Sequence, residues 1–122
     1  MGLRRVEHVQ LAMPAGGEVE AIAFYESVLR LTHVPKPPHL AVRGGCWFEV
    51  NDLKVHLGVD ADFRPATKAH PAFVVDDLSA LVADISRAAY RVVDDEPVEG
   101  FNRVFVYDPF GNRIELMEPV ES

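Results

Sequence analysis

The two halves of this 122-residue sequence repeat one order of features, and that repetition limits the folds open to the chain. The opening segment VEHVQLAMP contains His8, and KAHPAFVV contains His70, 62 residues further along. A helical pattern and then several short strand-like segments follow each of them. We therefore predict a single domain, residues 1–122, made of two like modules at about residues 1–60 and 68–122.

The first module has the pattern of a strand, a helix and three more strands. Residues 5–13 alternate loosely between polar and apolar and stop at Pro14, as a strand does. Apolar residues recur at helical spacing across residues 18–31. The proline-rich segment 34–39 is predicted to be a loop, because it suits neither a helix nor a central strand. Residues 40–59 then supply two or three strands.

The second module repeats that order after a polar connector, residues 60–69. Asp76 or Asp77 is a candidate N-cap for a helix whose apolar stripe runs from Leu78 to Ala88. Both modules are thus βαβββ units of an α+β fold, and two such units must pair because one cannot cover its own sheet. The strands of the second module are predicted, with a DPFGN turn before the last, at residues 70–75, 90–95, 101–108 and 112–119.

Composition excludes several classes of function. The net charge of −7, from 19 acidic and 12 basic residues, argues against a nucleic-acid or anionic-membrane partner. Cys46 is the single cysteine, which rules out an intrachain disulfide and fits a reducing compartment. The sequence has no signal-peptide pattern and no stretch that approaches 18 apolar residues, so we expect a soluble, cytoplasmic protein.

The outer strands of each module carry one potential metal ligand apiece: His8 and His56 in the first module, His70 and Glu115 in the second. Because side chains alternate along a strand, His8, His56 and Glu115 lie opposite apolar neighbours that face the helices. Imidazole and carboxylate groups with open coordination positions suit Fe(II), Mn(II), Ni(II) or Zn(II). The pattern therefore predicts a divalent metal in a cup between two like modules.

Three stretches of the sequence resemble the vicinal oxygen chelate superfamily, which includes glyoxalase I, bleomycin-resistance proteins and extradiol dioxygenases. They are EHVQLAMP…AIAFYESVLRL, AHPAFVVDDLSALVADI and the closing VYDPFGNRIELMEP. The resemblance covers nearly the whole chain and implies paired βαβββ modules whose curled mixed sheets form parts of an open barrel. It also implies metal ligands at His8, His70 and Glu115, with His56 at the fourth symmetric place. Glu115 would be the catalytic group, as a ligand or as a base.

Other polar strand residues have two interpretations each. Gln10 either orients a bound oxygen or is an exposed strand residue, whereas Lys54, Arg103 and Arg113 either hold an anionic substrate or are solvated. Several strand aromatics are expected in packing, with a pocket wall as the alternative: Trp47, Phe48, Phe101, Phe105 and Tyr107. Two further histidines lie off the strand pattern and are expected at the surface: His33 and His39.

Two functions are compatible with these residues. The first is a metal-dependent enzyme that chelates two oxygens of a small substrate, with a glyoxalase-like lyase or isomerase favoured over an oxygenase. The second is a metal-free, bleomycin-resistance-type protein that binds a planar, drug-like compound. Open sheet edges call for a partner. The resemblance implies a homodimer, in which His8 and His56 of one chain meet His70 and Glu115 of the other.

Overall fold

A computed structural model describes residues 1–121, which divide into two compact units, the first Met1–Phe63 and the second beginning at Arg64. Ser122, the last residue of the predicted domain, lies outside the described residues. Each unit contains one four-stranded mixed sheet, with helical segments between its strands. The predicted α+β fold of two βαβββ modules is therefore confirmed. No helix among the described residues is long and apolar enough to cross a membrane.

The first unit orders its strands β1-β4-β3-β2, with β1 parallel to β4 and the other neighbours antiparallel. The first and last strands of the unit therefore lie side by side. Its elements are β1 (Val9–Met13), α1 (Glu18–Ile22), a π-helical segment (Ala23–Val28), β2 (Thr32–Val34), α2 (Pro38–Ala41), β3 (Cys46–Val50) and β4 (Leu53–Val59).

The second unit repeats this arrangement with the order β5-β8-β7-β6, and β5 is parallel to β8. The side chain of Asp77 accepts a hydrogen bond from the backbone N–H of Ala80, so Asp77 is the N-cap of the helix. The elements of the second unit are β5 (Ala72–Val74), α3 (Leu78–Arg87), β6 (Val92–Asp94), β7 (Phe101–Tyr107) and β8 (Arg113–Pro119).

The first helix differs from the single α-helix predicted over residues 18–31. Beyond Ile22 it widens into π-helical geometry, and the Leu29 N–H donates to the Phe24 carbonyl at 2.9 Å. A π turn contains one more residue than an α turn, which changes the angle between successive side chains. This change is compatible with the burial of two adjacent aromatics, Phe24 and Tyr25, both 0% exposed.

The segment after this helix also departs from the prediction. The predicted loop 34–39 contains the start of a one-turn helix, which follows Pro37 and begins at Pro38. A proline is tolerated at the first helical position, because the N–H there has no partner within the helix. Residues 40–45 belong to that helix and the following turn, so residues 40–59 contain two strands of the predicted two or three. His33 is exposed as predicted, but it lies within β2, not off the strand pattern.

The helix-facing side of each sheet forms the hydrophobic core of its unit. In the first unit, Cys46 and Phe48 of β3 and Val55 of β4 are at most 1% exposed. Burial is the main cause that raises the pKa of the Cys46 thiol to about 11, so it remains a neutral core residue as predicted. In the second unit, apolar residues of β7 and β8 are buried together with Ile85 of α3: Val104, Val106, Ile114 and Leu116.

Gly45 sets the start of β3 against β4. Its φ of +85° lies in the left-handed region, and a Cβ atom at this position would be 2.2 Å from the carbonyl oxygen of Leu57. Gly16 has a similar φ of +82° but no atom within 4 Å of a built Cβ. The two glycines therefore share a backbone requirement and differ in steric crowding.

We expect Gly45→Ala to destabilise the protein more than Gly16→Ala. Each change places alanine at positive φ, at a cost of about 1–2 kcal/mol. Gly45→Ala should cost roughly a further 1–3 kcal/mol, because β3 must move away from β4. Urea denaturation followed by the fluorescence of Trp47, the single tryptophan, measures both losses. Equal losses in the free energy of unfolding would contradict the close approach of Gly45 to Leu57.

Candidate functional site

The polar face of the first sheet carries both histidines predicted for this unit. Strand register aligns Gln10 of β1 with His56 of β4, and His56 with Trp47 of β3. These three residues therefore form a row across the face opposite the core. His8 lies one residue before β1 and two residues before Gln10, so it is on the same face as this row.

Three rings on this face form a continuous stack. The Trp47 and His56 ring centroids are 4.1 Å apart with planes 5° from parallel, and the His8 and His56 centroids are 4.2 Å apart at 19°. His56 is consequently only 7% exposed. Burial, followed by the proximity of His8, lowers the pKa of His56 below its ordinary value.

Charged residues surround the outer ring of the stack. Glu7 bonds to His8 Nδ1 at 3.0 Å through one carboxylate oxygen and accepts from Lys54 Nζ at 2.7 Å through the other. The Lys54 and His8 contacts lower the pKa of Glu7 to about 2. Lys54 also lies 3.9 Å from Glu49. Lys54 is thus paired within the chain, and Glu7 is a site residue that the sequence pattern did not indicate.

The second unit brings the other two predicted ligands into contact. His70 Nε2 lies 3.1 Å from Glu115 Oε1, and His70 Nδ1 lies 2.9 Å from the carbonyl oxygen of Lys68. A carbonyl can only accept, so Nδ1 carries a proton and donates a hydrogen bond to the Lys68 carbonyl. Nε2 is then the nitrogen directed at the carboxylate.

Arg103 fixes the second carboxylate oxygen of Glu115. Its Nη1 donates to Glu115 Oε2 at 3.2 Å, while its Nε donates to the Glu96 carbonyl at 2.9 Å and its Nη2 lies 3.5 Å from Asp95. Glu115 is 7% exposed, and its charge is balanced by this arginine. Arg103 therefore holds a protein carboxylate, which favours a positioning role over the predicted contact with an anionic substrate.

Phe105 forms the apolar floor beside this pair. Register aligns Phe105 with Glu115, and the ring is 3% exposed. The Arg113 guanidinium carbon lies 3.8 Å from the ring centroid, and His70 meets the ring edge to face at 5.1 Å. Arg113 is thus a stacking residue, and Phe105 is a packing residue, as predicted.

The four predicted ligands are found as two pairs, His8 with His56 and His70 with Glu115. Within residues 1–121, no three His, Cys, Asp or Glu side chains are grouped as a metal site requires. The His70–Glu115 pair fits half of such a site. Two ligand atoms each about 2.1 Å from an ion, at a right angle, are about 3 Å apart, close to the distance observed. The Nδ1–H bond to a backbone carbonyl is the usual support of a metal-binding histidine.

The His8–His56 pair fits a metal less directly. A ring nitrogen binds an ion in the plane of its own ring, and one ion cannot lie in both planes of two stacked rings. One imidazole must therefore rotate out of the stack before both can bind the same ion. His8 is the exposed member, whereas His56 is covered on both faces.

These features define a class of small α+β proteins built from βαβββ units, each with polar side chains on the sheet face opposite its helix. The model of the Glyoxalase/Bleomycin resistance protein/Dioxygenase superfamily matches residues 1–116. The chain belongs to this superfamily, as its sequence motifs predicted. A search of curated proteins found no match.

Solved structures of three bacterial proteins illustrate the likeness. A protein assigned to the glyoxalase family from Bacillus anthracis is 41% identical, with a TM-score of 0.93 and 98% of each chain covered. A glyoxalase/dioxygenase from Nostoc punctiforme is 22% identical, with a TM-score of 0.79 over 97% of this chain and 92% of that one. The fosfomycin resistance protein FosX from Listeria monocytogenes is 15% identical, with a TM-score of 0.78 over 98% and 96%. The last two share the fold.

We expect His56 to titrate below its ordinary pKa of about 6.5 in the metal-free protein. As the pH falls, His56 of the unfolded chain binds a proton at a higher pH than His56 of the folded protein. The contribution of neutral His56 to the free energy of unfolding is therefore present above about pH 6.5 and is lost as the pH falls below it. His8→Ala should raise the pKa of His56, since it uncovers the ring and removes a neighbouring charge. NMR titration of the imidazole resonances measures both values. A His56 pKa at or above 6.5 would contradict the buried stack.

Proposed function

We propose that this protein is a metal-dependent enzyme, a glyoxalase-like lyase or isomerase that acts on a small oxygenated substrate. The observation that carries the proposal is the His70–Glu115 pair, with the protonated Nδ1 on Lys68 and Arg103 on the far carboxylate oxygen. With Nδ1–H donated to the Lys68 carbonyl, Nε2 is the His70 nitrogen available to a metal ion beside Glu115 Oε1.

The proposed ligands are His8 and His56 of one protomer and His70 and Glu115 of its partner in a homodimer. Each unit supplies two of them, and a second chain would cover open sheet edges while completing the set. Fe, Mn, Ni and Zn are the ions that suit this donor set. Bound there, the ion would polarise substrate oxygens and stabilise developing negative charge.

Glu115 is the proposed proton acceptor of the site. Arg103 engages Oε2, so Oε1 is the atom that remains directed toward His70 and the substrate. Glu115 and its register partner Phe105 are both buried, which limits the access of water to the carboxylate. A carboxylate in such a setting can take a proton next to a substrate carbonyl when the substrate displaces it.

Metal binding tests this proposal directly. His70→Ala should abolish stoichiometric binding, and Arg103→Met should weaken it by about 10- to 100-fold because Glu115 loses its support. His39→Ala removes an exposed histidine of α2 and should leave binding unchanged. Metal analysis and titration calorimetry measure these effects. A wild-type protein that binds none of Fe, Mn, Ni or Zn would overturn the enzyme proposal.

Mixed dimers test the shared site. Mixing a His8→Ala chain with a Glu115→Ala chain should restore one intact metal site per heterodimer, because one of its two sites then receives both wild-type halves. Each variant alone should have none. Metal content and activity after proven subunit exchange are the readouts. Exchange without recovery would mean that each site is built within one chain.

A second candidate function rests on the ring stack of the first unit. Trp47, His56 and His8 form an aromatic surface suited to a planar, cationic compound in a metal-free binding protein, and the net charge is −7. Binding of such a compound that is undiminished in excess EDTA and occurs without turnover would favour this function. Loss of binding on chelation would favour the enzyme.

A further inference from the structure

A depression of the first unit lies beside the ring stack and is here called the basic depression. It has a volume of about 250 Å³. Two cationic residues, Lys36 and Arg43, line it together with Gln10, Trp47 and Gly58. The depression that contains His8 and His56 has a volume of about 400 Å³ and shares Gln10 and Trp47 with it. The two depressions are therefore adjacent on one sheet face.

The two cations retain donors for a ligand. Lys36 Nζ donates to the carbonyl oxygen of Gly44, which leaves two of its three N–H groups. The Arg43 guanidinium has no hydrogen bond or ion pair with another residue of the described part of the chain. The Glu18 carboxylate accepts the Gly45 N–H at 2.9 Å, and no acidic residue lines the depression among the described residues. An anion can thus meet both cations there.

Gln10 and Trp47 connect the two depressions. A Cβ atom on Gly58 would lie 2.6 Å from Gln10 Nε2, so the absence of a side chain at Gly58 lets the Gln10 amide lie against the strand. Gln10 is also the register partner of His56. A molecule that extends from the basic depression toward His56 would therefore pass the Gln10 amide and the Trp47 ring.

We propose that the substrate carries an anionic group, a carboxylate or a phosphate, which binds Lys36 and Arg43 in the basic depression while its reacting oxygens extend toward His8 and His56. The proposal rests on the proposed function for the reacting end of the substrate. Anion binding by Lys36 and Arg43 needs no metal. The sequence pattern assigned no role to either side chain.

Simple anions test the basic depression in the full-length protein. The probes are acetate, inorganic phosphate and neutral acetamide, at ionic strength held constant with sodium chloride. The readout is the indole N–H resonance of Trp47, which is unambiguous because the chain has one tryptophan. We expect a saturable shift with acetate or phosphate and none with acetamide, with a dissociation constant on the order of millimolar for such small ligands. The anion that binds more tightly identifies the group.

Charge variants make the test specific. Lys36→Met and Arg43→Met should each weaken anion binding by about tenfold, since each removes a charge-assisted hydrogen bond. Lys36→Arg should retain binding, which separates loss of charge from misfolding. Arg4→Met removes the same charge from a residue that does not line the depression and should have no effect. An equal shift with acetamide, or unchanged affinity in both methionine variants, would overturn the proposal.

The two proposals fail separately. His70→Ala should lose metal and keep anion binding with its Trp47 shift, because Lys36 and Arg43 do not touch the proposed ligands. Anion binding in a protein that takes up no metal would overturn the enzyme proposal and retain the basic depression. Normal metal binding without any anion-induced shift would do the reverse.

Discussion

The parallel pairing of the first and last strands in each unit is the constraint on which the rest of the structure depends. It places β1 beside β4 and β5 beside β8, although about 40 residues separate the members of each pair. Strand alternation then divides the sheet into an apolar face toward the helix and a polar face away from it. His56 and Glu115 both lie on last strands, buried among neighbours on the polar face. The candidate site is thus a consequence of strand pairing more than of any loop.

Much of the fold could be predicted because the signals were strong and local. The repeat gave the two units, the period of two gave the sheet faces, and Asp77 marked the start of α3 by cap chemistry. The family assignment followed from motifs that span most of the chain and is confirmed by the match over residues 1–116. The metal ligands stay a prediction, although strand alternation correctly placed His56 and Glu115 opposite the apolar residues of their own strands.

The features that could not be predicted depend on contacts between distant residues or on small backbone energies. A π-helical turn at Ala23–Val28 becomes useful only once Phe24 and Tyr25 have a core to fill, which no helical periodicity reveals. Glu7 belongs to the site because Lys54, 47 residues away, lies on the neighbouring strand. Asp95 supports Arg103 from the position just after β6, a contact that no strand periodicity reveals.

The polar sheet faces of the two units carry their predicted ligands on equivalent strands and differ in chemistry. The first unit presents stacked rings, and burial disfavours a proton on His56. The second presents the Glu115 carboxylate, which Arg103 holds. It also presents the His70 imidazole, whose Nδ1–H donates to a backbone carbonyl. A neutral imidazole has a lone pair available for a metal, whereas an imidazolium has none. The burial that keeps His56 neutral therefore favours ligation, and the stack that produces the burial opposes it. Exposed His8, at the end of the stack, is the residue whose movement can relieve that conflict.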